Sequence, residues 1–80
     1  MTPPPLHPVT RCRRIACHTL LTDQGQTLPM QVVEIASGSV VGYYRLQEEL
    51  PHTEWLPGTV TLQRSAVGLL HAYYDGKRLE

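Results

Sequence analysis

The chain has 80 residues, and its seven basic and seven acidic side chains give no net charge at neutral pH. A chain of this length forms one domain with a small core, because it buries only about 60–65% of the surface that its unfolded form exposes. The neutral balance removes the general attraction to nucleic acids and anionic membranes, so we expect neither as a partner. No apolar run reaches the roughly 18 residues that cross a bilayer and no export signal is recognised, so we expect a cytoplasmic protein.

The beginning of the chain is rich in proline. Residues 1–9 contain four of the seven prolines. Consecutive prolines favour an extended polyproline conformation and lack backbone donors. We therefore expect residues 1–9 to form a flexible tail and residues 10–80 to form a single β domain. A ligand for a proline-recognition domain is the alternative, although "PPPLHP" is short and lacks a basic anchor.

Short alternating segments separated by turn residues predict strands from about Thr10 onwards. "CRRIACHTLL" is followed by a turn at "TDQGQ" and by the strand "MQVVEIA". The short connection at residues 37–39 then leads into "VVGYYRLQ", so residues 33–46 predict a hairpin with Val33 and Ile35 in the core. We also expect one ring of each tyrosine pair, at 43–44 and at 73–74, to point inward. Gly42 inside the returning strand indicates a bulge or the close approach of another backbone.

The second half of the domain has a less regular pattern. "EELPHTEWLPG" carries two prolines and no periodicity, which predicts an irregular connection in which Trp55 caps the end of the core. "TVTLQ" predicts a short strand with Leu62 inward and with Thr61 and Gln63 outward. "VGLLHAYYDGKRL" predicts a strand that runs into an Asp-Gly turn, while "YRLQEEL" could supply one turn of helix. The fold class is therefore all-β, a small antiparallel β-sandwich or half-open barrel of about five to six short strands.

The cysteines do not indicate a disulfide or a metal site. Cys12 and Cys17 are five residues apart, which places them on opposite faces of a regular strand and out of easy disulfide reach. With His18 they offer zinc ligands, but structural zinc sites use two ligand pairs with spacings of two to four residues. We interpret both cysteines as buried small hydrophobic residues in a reducing compartment, with His18 near the surface.

The sequence offers no recognisable catalytic constellation. No serine or cysteine stands in a known frame with a histidine, and the adjacent Glu48 and Glu49 are explained by a solvated turn. No glycine-rich phosphate loop is present either. Without any such constellation we expect no cofactor and no metal, and the expectation of no enzyme activity rests also on the family resemblance described below. His71 is interpreted as a partly covered surface histidine that shares a face with Leu69 and Tyr73. The residues that we expect on an interaction surface are Tyr43, Tyr73, His71, His52 and Trp55.

Several segments together resemble a known family. The order "RIACHTLLTD", "QVVEIASGSVVGYY" and "LQEELPHTEWLPGTVTL" is similar to the N-terminal flank of the amidohydrolase, or metal-dependent hydrolase, superfamily, and "LLHAYYDGKRL" is similar to its C-terminal flank. The resemblance covers roughly residues 13–79 and implies the small β accessory domain of that family. It also implies that residues 67–74 pair with strands before residue 47, through a link near "QRSAVG".

The same resemblance implies that the catalytic machinery is missing. When Pro57 and Gly58 are set on the family's Pro-Gly, Thr61 stands at the position of the aspartate, and Gln63 and Ser65 stand at the positions of the two metal-binding histidines. Amide and hydroxyl groups are poor substitutes for imidazole at a catalytic zinc. The catalytic barrel of about 250 residues cannot fit in this chain.

The sequence therefore favours a non-catalytic module for protein interaction or scaffolding. Its partner is an unknown protein or a second copy of the chain. Two alternatives stay open. One is a small-ligand-binding domain in the region of Trp55, His52 and His71. The other is a subunit that completes a hydrolase active site in another chain.

Overall fold

The computed structural model describes residues 12–47 and 53–80, which form one six-stranded sheet and contain no helix. The all-β prediction is therefore confirmed. The expected tail at residues 1–9 and the whole segment 48–52, which includes His52, lie outside the described residues. The strands are β1 (Arg13–Leu21), β2 (Thr27–Ala36), β3 (Ser39–Arg45), β4 (Thr53–Arg64), β5 (Leu70–Tyr74) and β6 (Lys77–Leu79).

The sheet has the order β3-β2-β1-β4-β5-β6 and curls into a half-open barrel. Every neighbouring pair is antiparallel except β1 and β4, which run parallel at the centre. An ion pair also links these two strands, since Nε and Nη2 of Arg13 lie 2.6 and 2.9 Å from the two carboxylate oxygens of Glu54. Curling brings β3 towards β5, and Nδ1 of His71 lies 3.1 Å from the backbone oxygen of Gly38.

The inner face of the curled sheet holds the core. Alternation along each strand directs aliphatic side chains to this face, as the two-residue period of a strand requires. Leu28, Leu56, Leu70 and Tyr74 are partly buried against it. Leu62 is buried while Gln63 is exposed and Thr61 is half-buried, so the predicted orientation of "TLQ" is confirmed. The buried core residues are Ile15, Cys17, Leu20, Val33, Ile35, Val60, Leu62 and Ala72.

The predicted hairpin at residues 33–46 is confirmed. Its strands are joined by Ser37 and Gly38, whose φ angles of 56° and 81° are both positive, as a type I′ turn requires. The predicted irregularity near Gly42 is also present. Glu34 lies opposite Gly42 whereas Ile35 lies opposite Val40, so β3 carries an extra residue between them and forms a bulge.

The prediction for the first tyrosine pair is confirmed for the direction of Tyr43 and wrong for its burial. Tyr43 lies opposite the inward-facing Val33 and Tyr44 lies opposite Val32 on the other face, yet both rings are exposed, at 37% and 40%. Both rings are exposed because β3 is at the edge of the sheet, and among the described strands none lies beyond it. In the second pair, Tyr74 does pack against the core.

The predicted irregular connection around Trp55 is also wrong for the described residues, because Thr53–Arg64 is one continuous strand. Next to β1, the register moves from Cys17 beside Leu56 to Thr19 beside Thr59, so β4 gains a residue at the Pro-Gly dipeptide. A bulge accommodates the missing N–H of proline, and Gly58 adopts a φ of 109° that other residues avoid. "LPG" is therefore a bulge inside a strand and not a turn before one.

The predicted pairing of residues 67–74 with the first half of the chain is wrong. Within the described residues β5 pairs with β4 and β6, and it meets β3 only across the mouth of the barrel. The link after β4 closes a local hairpin instead, since the backbone N–H groups of Gly68 and Ser65 bond to the oxygens of Ser65 and Leu69 at 2.9 and 2.8 Å. A short link of this kind makes the adjacent strand the nearest partner.

The two cysteines differ in environment. Cys17 is buried in the core, and burial raises the pKa of its thiol. Cys12 is exposed, so its expected burial is wrong; it stands before the first residue of β1 and has no strand partner. His18 is exposed, as predicted. Both thiols are free.

Candidate interaction surface

A second, smaller apolar cluster lies on the outer face of the sheet. Ala16 and Val32 are opposite each other on β1 and β2 and are 3% and 0% exposed, yet they alternate with the residues of the inner core. In the same register, Trp55 of β4 stands beside Ala16, and Tyr44 of β3 stands beside Val32. Four adjacent strands thus contribute one apolar row across the outer face, with small buried residues in the middle and aromatic rings at both ends.

Trp55 is the largest apolar side chain of this row. It is 45% exposed. Its ring meets the ring of His18 edge to face, with the centroids 4.9 Å apart and the planes at 88°. This geometry is favourable for aromatic pairs because the electropositive edge of one ring meets the electronegative face of the other. Within the described residues the indole N–H donates no hydrogen bond, so it is available to an acceptor from outside.

Met30 is a further exposed apolar residue next to this row. It stands between Pro29 and Gln31, the partners of Thr19 and Cys17, and is therefore across from His18. It is exposed, and its φ of 51° lies in the left-handed region that non-glycine residues rarely adopt. We call the exposed side chains of His18, Met30, Tyr44 and Trp55, over Ala16 and Val32, the outer patch.

A charged network borders the outer patch. The Glu34 carboxylate accepts a hydrogen bond from Oη of Tyr44 at 2.7 Å and one from Nε of Arg14 at 3.2 Å. These bonds lower the pKa of Glu34, the bond from Tyr44 having the larger effect, and the same bond raises the pKa of Tyr44. Burial, followed by the nearby Glu34 carboxylate, raises the pKa of the Cys12 thiol. That thiol is therefore protonated at neutral pH and a poor nucleophile.

The structure separates the residues that the sequence placed on one interaction surface. Trp55 belongs to the outer patch, whereas Tyr43 faces the inner side at the mouth of the barrel. Tyr73 and His71 lie on β5, opposite Thr61 and Gln63. Gln63 is eight positions beyond Trp55 along β4, which corresponds to roughly 25 Å. Residue His52 is outside the described residues.

His71 is half-buried, with its ring against the oxygen of Gly38, so its interpretation as a partly covered surface histidine is confirmed. Three residues of the outer patch, His18, Met30 and Tyr44, were missed by the sequence prediction. The sequence carries only a partial signal, the consecutive apolar residues in "IAC" of β1 and "VV" of β2, which does not identify the side chains that lie around them. Consecutive buried residues on a strand indicate that both of its faces are covered.

Two of the three positions that the family resemblance assigns to the metal-binding motif, Thr61 and Gln63, line a shallow groove, whereas Ser65 does not. The groove has a volume of about 560 Å³ and lies between the β1–β2 connection and the end of β4. Thr61 and Gln63 contribute to it, and an ion pair of 3.1 Å between Asp23 and Arg64 occupies one side. Within residues 12–47 and 53–80, no three His, Cys, Asp or Glu side chains are arranged to hold a metal ion.

Comparisons with known proteins give no match for this chain, whether to a family model, to a curated protein or to a solved structure. Among the residues that the structure describes, there is no helix of the length and apolar character needed to span a membrane.

Proposed function

We propose that this protein is a non-catalytic interaction module that binds another protein through the outer patch. The observation that carries the proposal is the position of Trp55, which is 45% exposed and stands beside the buried Ala16, whose neighbour on β2 is the buried Val32. Tryptophan and tyrosine dominate the energetics of protein interfaces because they offer large, rigid apolar surfaces with a polar atom at one end.

The arrangement of the outer patch supports this proposal more strongly than exposure alone. Isolated apolar side chains are common on protein surfaces and carry no functional meaning. Here Tyr44 and Trp55 lie on the same face as the buried Ala16 and Val32, in one row across four adjacent strands, and the exposed Met30 stands two positions before Val32 on β2. Burial of each such side chain by a partner contributes about 1.5–3 kcal/mol before the costs of association.

The non-catalytic part of the proposal rests on side-chain chemistry. Thr61, Gln63 and Ser65 carry weak metal donors. Partial desolvation and the nearby Glu34 carboxylate raise the pKa of the Cys12 thiol, which disfavours the thiolate that a nucleophile needs. We further propose a reducing compartment such as the cytoplasm, because the exposed Cys12 is free. Descent from an amidohydrolase accessory domain stays a hypothesis of origin, and the pairing of β5 with β4 gives it no support.

Binding of a small ligand is less well supported. The residues that the sequence suggested for such a site do not lie together, because Trp55 and His71 are on distant parts of the sheet. The shallow groove beside Gln63 is open, and the charge of Arg64 within it is already paired with Asp23. Small-molecule sites are usually enclosed and mostly apolar, with a few polar groups that have no partner in the free protein.

The test compares two exposed apolar residues on different surfaces. We expect Trp55→Ala to abolish the capture of a specific partner from cells of the source organism, and Leu69→Ser, in the β4–β5 turn, to retain it. Leu69 is a matched control because it is 51% exposed and lies outside the outer patch. Thermal unfolding of both variants checks that the fold is kept. Recovery of the same proteins by wild type and Trp55→Ala, or none by wild type, would contradict the proposal.

A further inference from the structure

We propose that the outer patch binds the chain's own proline-rich segment, residues 3–8, within the same molecule. The inference rests on the proposed function, because it assigns an occupant to the same surface when no other protein is bound. The segment then competes with an outside partner for Trp55.

The chemistry of Trp55 matches a polyproline ligand. A polyproline helix makes no internal hydrogen bonds, so its backbone oxygens are free to accept. The indole N–H of Trp55 has no acceptor within the described residues, and its ring is exposed beside His18. Domains that recognise proline-rich segments use exposed aromatic rings in this way, since the preformed helix loses little entropy on binding.

The segment itself has the required pattern. Residues 3–8 read "PPPLHP", in which Pro5 and Pro8 are separated by two residues. A polyproline helix has three residues per turn and rises about 3.1 Å per residue, so Pro5 and Pro8 share a face about 9 Å apart. Pyrrolidine rings with this spacing can cover the exposed ring of Trp55 together with an adjacent apolar side chain of the outer patch. The remaining carbonyl groups stay in solvent.

The length of the chain before β1 is sufficient to reach Trp55. Cys12 is exposed and precedes Ala16, the neighbour of Trp55, by four residues, which is about 13 Å along the strand. Residues 3–8 span about 19 Å in a polyproline helix, and residues 9–11 are left to reverse the direction of the chain. A tether this short gives an effective concentration in the millimolar range, so a weak intrinsic affinity is enough for binding.

Charge neither helps nor opposes this contact. The segment has no acidic or basic residue apart from His7, and the charges that border the outer patch are already paired between Arg14 and Glu34. Docking is therefore expected to depend on apolar and hydrogen-bonding contacts, and to persist at high salt, where exposed ion pairs are screened.

The only tryptophan of the chain provides the experiment, since its fluorescence reports on the outer patch alone. The wild-type chain is compared with a full-length variant that carries Pro3→Ser, Pro4→Ser, Pro5→Ser and Pro8→Ser. We expect the variant to show red-shifted Trp55 emission and an acrylamide quenching constant about two-fold higher, because the segment no longer covers the ring. Addition of the synthetic peptide TPPPLHPV should reverse both changes, and a peptide with serine at the proline positions should not.

Equal emission and quenching in the two proteins, without a response to the peptide, would mean that residues 1–9 form a free tail, and the inference would be overturned. A dependence of quenching on protein concentration would also overturn it, in favour of contact between two copies. The proposed function is tested separately. The interaction proposal fails and the inference stands if Trp55→Ala still captures the partner while the proline-to-serine variant shows the expected fluorescence changes. The inference fails and the interaction proposal stands if the quenching is the same in wild type and the proline-to-serine variant while capture depends on Trp55.

Discussion

The inner and outer faces of β1 and β2 both bury apolar side chains, but they cover them by different means. On the inner face, Ile15 and Val33 are enclosed by side chains from β4 and β5 because the sheet curls around them. On the outer face, Ala16 and Val32 are also buried, yet the neighbouring rings of Tyr44 and Trp55 are exposed. A curled sheet can enclose only its inner face. Apolar residues on the outer face therefore depend on large neighbouring side chains or on a bound partner.

Truncation of the inner core should have the largest effect on stability. Leu20 is fully buried among the core residues, so Leu20→Ala removes apolar contacts and leaves a cavity. We expect the free energy of unfolding to fall by about 2–5 kcal/mol, measured by urea denaturation. Leu69→Ala serves as the control, and its effect should stay within about 0.5 kcal/mol because that side chain is half exposed. A similar loss for both would contradict the assignment of the core.

Substitution of two adjacent valines compares how much each face of the sheet contributes to stability. Val32 and Val33 are both 0% exposed, but only Val33 belongs to the inner core. We expect Val33→Ala to destabilise the protein by about 1.5–3 kcal/mol, and Val32→Ala by less, because exposed rings can move into the space that the outer valine leaves. Urea denaturation of the two variants measures the difference. An equal loss would mean that the outer cluster is as rigidly packed as the core.

The Pro-Gly bulge in β4 should be sensitive to backbone strain. Gly58 has a φ of 109°, whereas a Cβ there would meet only Tyr74 at the ordinary distance of 3.8 Å. We expect Gly58→Ala to cost about 1–3 kcal/mol through its conformation and not through a clash. The matched control is Gly42→Ala, where a Cβ meets nothing within 4 Å and φ is not positive. If both substitutions cost the same in thermal unfolding, the bulge geometry is not what requires Gly58.

The smallest effect is expected at the border of the outer patch. The Tyr44 hydroxyl donates a hydrogen bond to the Glu34 carboxylate and lowers the pKa of Glu34. The hydrogen bond therefore stabilises the folded protein above the pKa that Glu34 has in the unfolded chain. This stabilisation is lost as the pH falls through the pKa of Glu34 in the folded protein. Tyr44→Phe should raise the pKa of Glu34 towards its usual value, as followed by NMR titration of the side-chain carboxyl. An unchanged pKa would show that the hydrogen bond does not form in solution.

Alternation along the chain was sufficient to predict the hairpin and the core positions Val33, Ile35 and Leu62, because a period of two residues fixes which face a side chain occupies. The same reasoning was wrong at residues that normally end a strand, where a bulge in the backbone allows the strand to continue. Pro57 indicated the end of regular structure, but the glycine after it allows a bulge, and the strand continues through both. Trp55 was therefore placed in a loop, and its neighbour His18 was not recognised.

The outer patch could not be predicted because it depends on which strands are neighbours. Trp55 and Tyr44 lie on β4 and β3, which are separated in the sheet by β1 and β2. No local pattern in the sequence specifies that β1 has β4 as its second neighbour. The exposure of Tyr44 follows from the edge position of β3 in the same way, since propensity alone does not distinguish edge strands from central ones.

The parallel contact between β1 and β4 also has a consequence for protein synthesis. The β1, β2 and β3 segments leave the ribosome first and can pair with one another at once, but the other edge of β1 stays open until the residues that form β4 have been made. Arg13 and Glu54, which join the two strands, are 41 positions apart. During that interval the nascent chain presents an unpaired edge of an apolar strand, the kind of surface through which incomplete chains associate with one another.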